Sequence, residues 1–348
     1  MFYPCSQRNQ TLDQKNRKKK LLGEATLKYF TMLDLETVKD LQRRVLELKK
    51  IKNAYIIAHN YQLPEIQDVA DYVGDSLGMA LEAKKTDHPI VVVCGVHFMA
   101  ETAAILLPDR KVLIPDPNAG CSLADSITAE QLREWKAKHP NAVVVSYVNT
   151  TAEVKALSDY CCTSSNAVEV IKSIPEDREI LFLPDMYLGM YVKEVTKRNN
   201  IHVWPGECHV HAKVKASDIV RAMEENPDAD LLVHPECGCT TSCLYLKERQ
   251  KLDLYVLSTG GMVKHIKNSP KRRFIVATET GIIHRLKKEN LGKEIKPLRE
   301  DMICEYMKMI TIDKLVRTLE EEIYEVKVPH EIAERARIAV DRMLQITP

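Results

Sequence analysis

The chain has 348 residues, of which 45% are hydrophobic and 28% charged, with a formal net charge of +1. That balance gives no reason to expect nucleic acid or a membrane surface as partner. The length calls for roughly two or three domains of ~100–200 residues each, and no apolar run approaches the ~20 residues of a membrane span.

In chain order, MFYPCSQRNQTLDQKNRKKK comes first and lacks the apolar core of a signal peptide. It reads as a basic, mobile tail over residues 1–31, with Cys5 inside it. Without an export signal the expected place is the cytoplasm, where the 10 cysteines stay reduced. They are then buried hydrophobes, metal ligands or redox groups. The runs AYIIAHN, IVVVCG, AVVVSYV, EILFLPD, DLLVH and RFIVAT read as buried strands. IQDVADYV, SLGMALEAKK, AVEVIKSI and VKHIKNS read as helices. KVLIPD is a strand running into PDPNAGCSLADS, a loop made by Pro115, Pro117 and Gly120, with Ser122 or Asp125 able to cap the next element. Strand and helix in alternation argue for α/β units with short parallel sheets.

The segments repeat. AYIIAHNYQ, AVVVSYVNT and ADLLVHPEC each begin a unit, and their strand-end residues are His59, Tyr147 and His234, spaced by 88 and 87 residues. A small hydroxyl residue opens a helix 17 residues on in the first two units (Ser76, Ser164) and 25 on in the third (Thr259). The third unit therefore carries 8 extra residues, in the span that includes CGCTTSC. Cys121 lies 62 residues past His59, and Cys208 lies 61 past Tyr147. Cys304 lies 70 past His234, or 62 once the 8 extra residues are removed. The expected architecture is a tail over 1–31 and three homologous α/β domains, over 32–140, 141–227 and 228–348 with C-terminal helices, around a pseudo-threefold axis. Such an axis would bring three cysteines to one point.

Three thiolates from three domains suit an iron–sulfur cluster, or a zinc with an open fourth position. In a [4Fe–4S] cluster three protein ligands leave one iron free, and a free iron is a Lewis acid. Electron carriers normally cap all four irons with cysteine, so three tilts toward catalysis. Of the others, Cys94 reads as core, and adjacent Cys161 and Cys162 cannot easily face one metal. His59, Tyr61, Tyr147, Asn149, His234 and Glu236 leave strands at the carboxyl ends, where α/β sheets bind ligands. His211 would point near the thiols. Ser76, Ser164 and Thr259 sit where helices begin, a setting that binds phosphate or carboxylate.

AHNYQLPEIQDVADYVGDSLGMA, YVNTTAEVKALSDYCCTSSNA, WPGECHVH, HPEC, ATETGIIHRLKKEN and CEYMKMITIDKL resemble the signature segments of the quinolinate synthase family. The resemblance runs from about residue 34 to 325. It implies three similar α/β domains around a pseudo-threefold axis and a central [4Fe–4S] cluster on Cys121, Cys208 and Cys304. It implies condensation of iminoaspartate with dihydroxyacetone phosphate to quinolinate, the precursor of NAD, with loss of phosphate and water. L-aspartate oxidase or aspartate dehydrogenase is the implied functional partner. The family's site positions fall on His59, Tyr61, Ser76, Tyr147, Asn149, Ser164, His211, His234, Glu236 and Thr259. Of these, Tyr61, His234 and Glu236 are the acid–base candidates, and a tyrosine base would need its proton affinity lowered. The others are expected to bind and orient substrate.

CGCTTSC departs from the family pattern, which often has one cysteine after HPE. Cys237, Cys239 and Cys243 could bind a second metal or form a redox pair. Rival readings are an iron–sulfur dehydratase for another small carboxylic acid, a cluster-bearing redox sensor and a zinc-structural protein.

Overall fold

The structure is a computed structural model that describes residues 34–250 and 253–346. The expected basic tail, with Cys5, lies outside the described residues. Valine- and isoleucine-rich runs bounded by turns form strands buried on both faces, as parallel sheets between helices require. The first sheet holds β1 (Ala54–His59), β2 (Tyr72–Gly74), β3 (Ile90–Cys94) and β4 (Lys111–Leu113). The second holds β5 (Val143–Tyr147), β6 (Tyr160–Cys162), β7 (Ile180–Leu183) and β8 (Ile201–Val203). The third holds β9 (Asp230–Val233), β10 (Leu254–Val256), β11 (Arg273–Ala277) and β12 (Glu294–Pro297). The orders are β2-β1-β3-β4, β6-β5-β7-β8 and β10-β9-β11-β12, with every pair parallel. The fold is α/β, with three four-stranded parallel sheets flanked by helices.

Helices Ala129–Lys138 and Ala216–Glu225 link one sheet to the next. Leu35–Ile51 precedes the first sheet and Ile312–Glu321 follows the third, and these two helices pack on each other. Val45 and Leu48 from one and Leu315 and Leu319 from the other share the main core. Arg44 to Glu320 at 2.9 Å and Lys52 to Glu322 at 3.0 Å flank the contact. The end of the chain thus closes onto its beginning. The C-terminal helix His330–Gln345 then packs on β6 and on helices His97–Leu106 and Ala152–Lys155, tying the second unit to the first.

Two readings of the sequence need correction. IQDVADYV is not one helix: only Pro64–Gln67 is helical, and its end passes into β2. The cause is Asp71, whose N–H donates to the Ile56 carbonyl (2.9 Å) while its carboxylate accepts the Ile56 N–H (2.9 Å). That double bond turns the chain into register beside β1. Asp159 does the same to Val144 ahead of β6. The edge strands β2, β6 and β10 have three residues each, too short to show periodicity in the sequence. The second correction concerns the loop after β4, which neither Ser122 nor Asp125 caps. A 3-10 turn at Ala124–Ser126 comes after Leu123, and the Ser122 hydroxyl pairs with His209 Nδ1 at 2.6 Å instead.

The closing contact gives a direct test. Leu315 is fully buried in it. Leu315→Ala should cost about 2–5 kcal/mol of stability by urea denaturation.

Candidate active site

The three cysteine loops are built alike. A 3-10 turn opens three residues after each cysteine: Ala124–Ser126 after Cys121, His211–Lys213 after Cys208, Met307–Met309 after Cys304. Backbone N–H groups of these turns reach the sulfurs, from Leu123 and Ala124 to Cys121, from His211 to Cys208 and from Met307 to Cys304. All three thiols line one pocket where the carboxyl ends of the three sheets meet. Each cysteine is partly exposed to that cavity, with protein packed around the rest of its side chain. Burial therefore pushes every thiol up, Cys121 to about 12, with the charge of Glu236 or Glu279 adding to it. A thiol sulfur accepts only weakly from N–H donors, whereas a thiolate accepts strongly. The donor set therefore fits a soft, thiophilic metal group that deprotonates coordinating sulfur. A second donor set is also present: Cys208 Sγ, His211 Nδ1 and Glu236 Oε2 all lie within 4.8 Å of one another.

Every site position that the resemblance implied lines this same pocket. His59 ends β1, and its Nδ1 accepts the Tyr61 N–H at 3.2 Å. His234, just past β9, repeats the arrangement with the Glu236 N–H at 3.4 Å. An imidazole accepting at Nδ1 carries its proton on Nε2. His234 therefore donates from Nε2 to the Ser164 hydroxyl at 3.2 Å. Burial lowers both histidines to about 3, so they are neutral.

Glu236 sits at the centre of the polar network. Tyr147 donates its hydroxyl to Oε1, and His211 Nδ1 lies 3.1 Å from Oε2 and 3.3 Å from Cys208 Sγ. Burial opposes its ionisation, but hydrogen bonds from His211 and Tyr147 hold the carboxyl below its usual range. Tyr61 pairs with Thr278 Oγ1 at 2.5 Å, and His211 Nε2 with the same oxygen at 2.9 Å. Burial and then the Glu236 charge push Tyr61 and Tyr147 well up. The lowered proton affinity that a tyrosine base would need is not found; both phenols hold their protons. Asn149 Oδ1 is a buried acceptor with no partner, in a residue that lines the pocket.

The hydroxyl residues at the helix starts are not the caps. Asp75 caps helix Ser76–Lys85 through the Gly78 N–H, and Ser258 caps Thr259–Asn268 through the Gly261 N–H. Ser76 and Thr259 are first helical residues, while Ser164 lies three residues ahead of Ala167–Lys172. The caps meet instead: Ser165 Oγ lies 2.6 Å from Asp75 Oδ2 and 2.8 Å from Ser258 Oγ. One residue from each unit forms this junction. Glycine at 260 leaves it room, because a Cβ there would lie 2.7 Å from Asp75 Oδ2 and push that carboxylate aside.

Sequence reasoning missed Asp75, Ser165, Thr278, Glu279 and Lys308. Glu279 is fully buried; it accepts the Cys304 N–H at 3.2 Å and the Gly281 N–H at 2.7 Å and pairs with Lys308 at 2.9 Å. Lys308 also donates to the Tyr61 carbonyl. This pair ties the third cysteine loop to the first unit's Tyr61. Its sequence signal was the repeat itself: Asp185 and Glu279 each stand two residues past a strand end, beside the backbone of Cys208 and Cys304. The first unit has Val96 there.

Cys237, Cys239 and Cys243 do not line the pocket. They are buried behind it, with Cys237 Sγ donating to the Ala277 carbonyl at 3.3 Å and Cys243 Sγ 3.5 Å from Cys239 Sγ. The described cysteines are all free. The third unit's extra length is taken up by helix Thr240–Gln250, where the other units have four-residue helices.

Fold and pocket together define an α/β enzyme whose three sheets share one thiol-lined site. Comparison with known proteins narrows the class. The family model described as quinolinate synthetase A protein matches residues 43–345. A quinolinate synthase from Pyrobaculum aerophilum is 58% identical over 305 residues, covering 88% of this chain and 99% of the relative. One from Thermus thermophilus is 55% identical over 306 residues, 88% of this chain and 97% of the relative. The protein of the same name from Mycobacterium leprae is 52% identical over 305 residues, 87% of each. The chain belongs to the quinolinate synthetase A family.

Two outcomes are expected from the electrostatics. Neutral His59 and His234, at about 3 when folded, take up protons near 6.5 when unfolded. Their contribution is fully present above pH ~6.5 and is lost as pH falls toward ~3, with a slope of at most about 1.4 kcal/mol per pH unit per histidine. Urea midpoints measured across that range should show the fall, and His234→Gln should flatten it. Lys308→Met leaves Glu279 buried without its partner and should cost about 3–5 kcal/mol in the same assay.

Proposed function

We propose that the chain condenses iminoaspartate with dihydroxyacetone phosphate to quinolinate in NAD biosynthesis, releasing one phosphate and two waters. The observation that carries this reading is the convergence of Cys121, Cys208 and Cys304, from three equivalent loops, on a pocket rich in hydrogen-bonding groups. Membership of a family whose relatives are named quinolinate synthase supports it. The three thiols would hold a [4Fe–4S] cluster. When bound, it would supply a Lewis-acid iron with a vacant position, because three cysteines leave one iron uncapped.

The chain's own residues supply the rest. Helices Ser76–Lys85 and Thr259–Asn268 begin at the pocket, so their free N–H ends and the Ser76 and Thr259 hydroxyls suit the phosphate and carboxylates. Ser164, polarised by His234, would take a further carboxylate oxygen. Asn149 Oδ1 would accept from the substrate nitrogen, which gives that orphan acceptor a partner. Glu236, ionised and set between Tyr147 and His211, would take protons from the carbon skeleton. Tyr61 would return them as acid to departing oxygens, and His59 would hold Tyr61's backbone in place. Burial excludes bulk water from a sequence of steps that must expel it.

Around this reaction we place the chain in the cytoplasm, with an aspartate oxidase or dehydrogenase supplying the unstable imine. Among the described residues no helix is long and apolar enough to cross a membrane. We also assign one domain to each sheet, with the boundaries expected from the repeat. A second reading rests on Cys208, His211 and Glu236, whose donor atoms could hold a single zinc ion.

Anaerobic purification with iron and zinc analysis separates the two. The first reading expects about four irons per chain, and loss of both iron and quinolinate formation in Cys121→Ala, Cys208→Ala and Cys304→Ala. One zinc per chain, retained in Cys121→Ala and Cys304→Ala but lost in His211→Ala, would favour the second and overturn the first.

A further inference from the structure

The second sheet carries another cluster of metal-ligating groups, at the end away from the thiol pocket. His139 terminates helix Ala129–Lys138, Glu179 stands just before β7, and His202 lies on the exposed side of β8. His139 Nδ1 is 2.9 Å and His202 Nε2 is 2.6 Å from the same oxygen, Glu179 Oε1. The two imidazole rings are 4.7 Å apart, centroid to centroid. All three donor atoms lie within 4.8 Å of one another. Among the described residues, no lysine or arginine forms an ion pair with Glu179.

From this geometry we propose that His139, Glu179 and His202 form a site for a divalent transition-metal ion of the zinc class. Two imidazoles and one carboxylate are a recognised zinc donor set, and three protein ligands leave a fourth position for water. Ligands at roughly 2.0–2.2 Å from a tetrahedral ion lie roughly 3.3–3.6 Å apart. The two distances to Glu179 Oε1 are slightly tighter, so these contacts need open by less than an ångström. Without an ion, two imidazoles crowd one carboxylate oxygen.

The backbone under the three ligands is fixed beforehand, which limits the entropy an ion must remove. Arg198 donates to the carbonyls of Ile171, Ile174, Pro175 and Arg178, pinning the loop that ends at Glu179. The Glu179 carbonyl accepts the Val143 N–H at 2.8 Å. His202 is paired with Leu181 in the ladder of β7 and β8. An ion here would clip the end of helix Ala129–Lys138 to the sheet. That helix comes after the Cys121 loop and leads into β5, so the ion's effect would be on stability and not on chemistry.

Co2+ is the probe, because a near-ultraviolet thiolate band marks any ion caught by cysteine, while imidazole and carboxylate give only visible d–d bands. The full-length protein, purified anaerobically with its thiol centre intact, is titrated as wild type, His202→Ala and His139→Ala. We expect one equivalent without a thiolate band in the wild type. Binding should weaken at least about tenfold in either variant. Zn2+ should raise the melting temperature of the wild type only, and quinolinate formation without added metal should be equal in all three. Equal Co2+ binding in all three proteins, binding solely with a thiolate band, or an equal Zn2+ shift in melting temperature would each overturn the site.

Discussion

The constraint on which the rest depends is that each sheet is parallel throughout. Parallel strands need crossover helices, so within a sheet every carboxyl end points the same way. Loops leaving those ends are free to carry chemistry, while the helices and buried strands hold them rigid. Aiming three such ends at one point brings each unit's strand-end residue, helix start and cysteine loop to a single cavity. The closing contact between Leu35–Ile51 and Ile312–Glu321 keeps the three ends together.

The cavity joins polar groups whose charges offset one another. Glu236 is a buried carboxylate balanced by Tyr147 and His211, and Glu279 is balanced by Lys308 and two backbone N–H groups. His59 and His234 stay neutral because burial disfavours their charge. A network satisfied this fully is rigid, and partial deletion leaves an orphaned charge. The departures from full satisfaction stand out accordingly. Asn149 Oδ1 lacks an internal partner, and like the raised thiols it belongs to a residue that lines the cavity.

The repeated frame has been specialised unit by unit. The strand-end positions hold histidine, tyrosine and histidine, and two residues on stand Tyr61, Asn149 and Glu236. The cap junction uses Asp75, Ser165 and Ser258, similar in role but not in residue. Behind the cysteine loops, Asp185 and Glu279 serve two units while Val96 stands in the first. One scaffold geometry is thus used three times, and asymmetry of side chains makes an asymmetric site for asymmetric substrates.

The sequence by itself determined the class and the position of each thiol. Long apolar runs announced β1, β3, β5, β7, β9 and β11, and the fixed spacing of Cys121, Cys208 and Cys304 from strand ends showed that they are equivalent. Such signals are local or periodic, so they survive in one dimension. Only the tertiary structure decided which groups pair across units. The three-residue edge strands depend on Asp71 and Asp159 binding a neighbouring strand. Lys308 and Tyr61 are 247 residues apart, and Ser165 and Asp75 are 90. The proton affinity of Tyr61, expected to fall if it were a base, rises instead because burial and the Glu236 charge act through space. Spacing along a chain records which positions correspond; burial, capping and charge balance arise between segments and exist only once those segments meet.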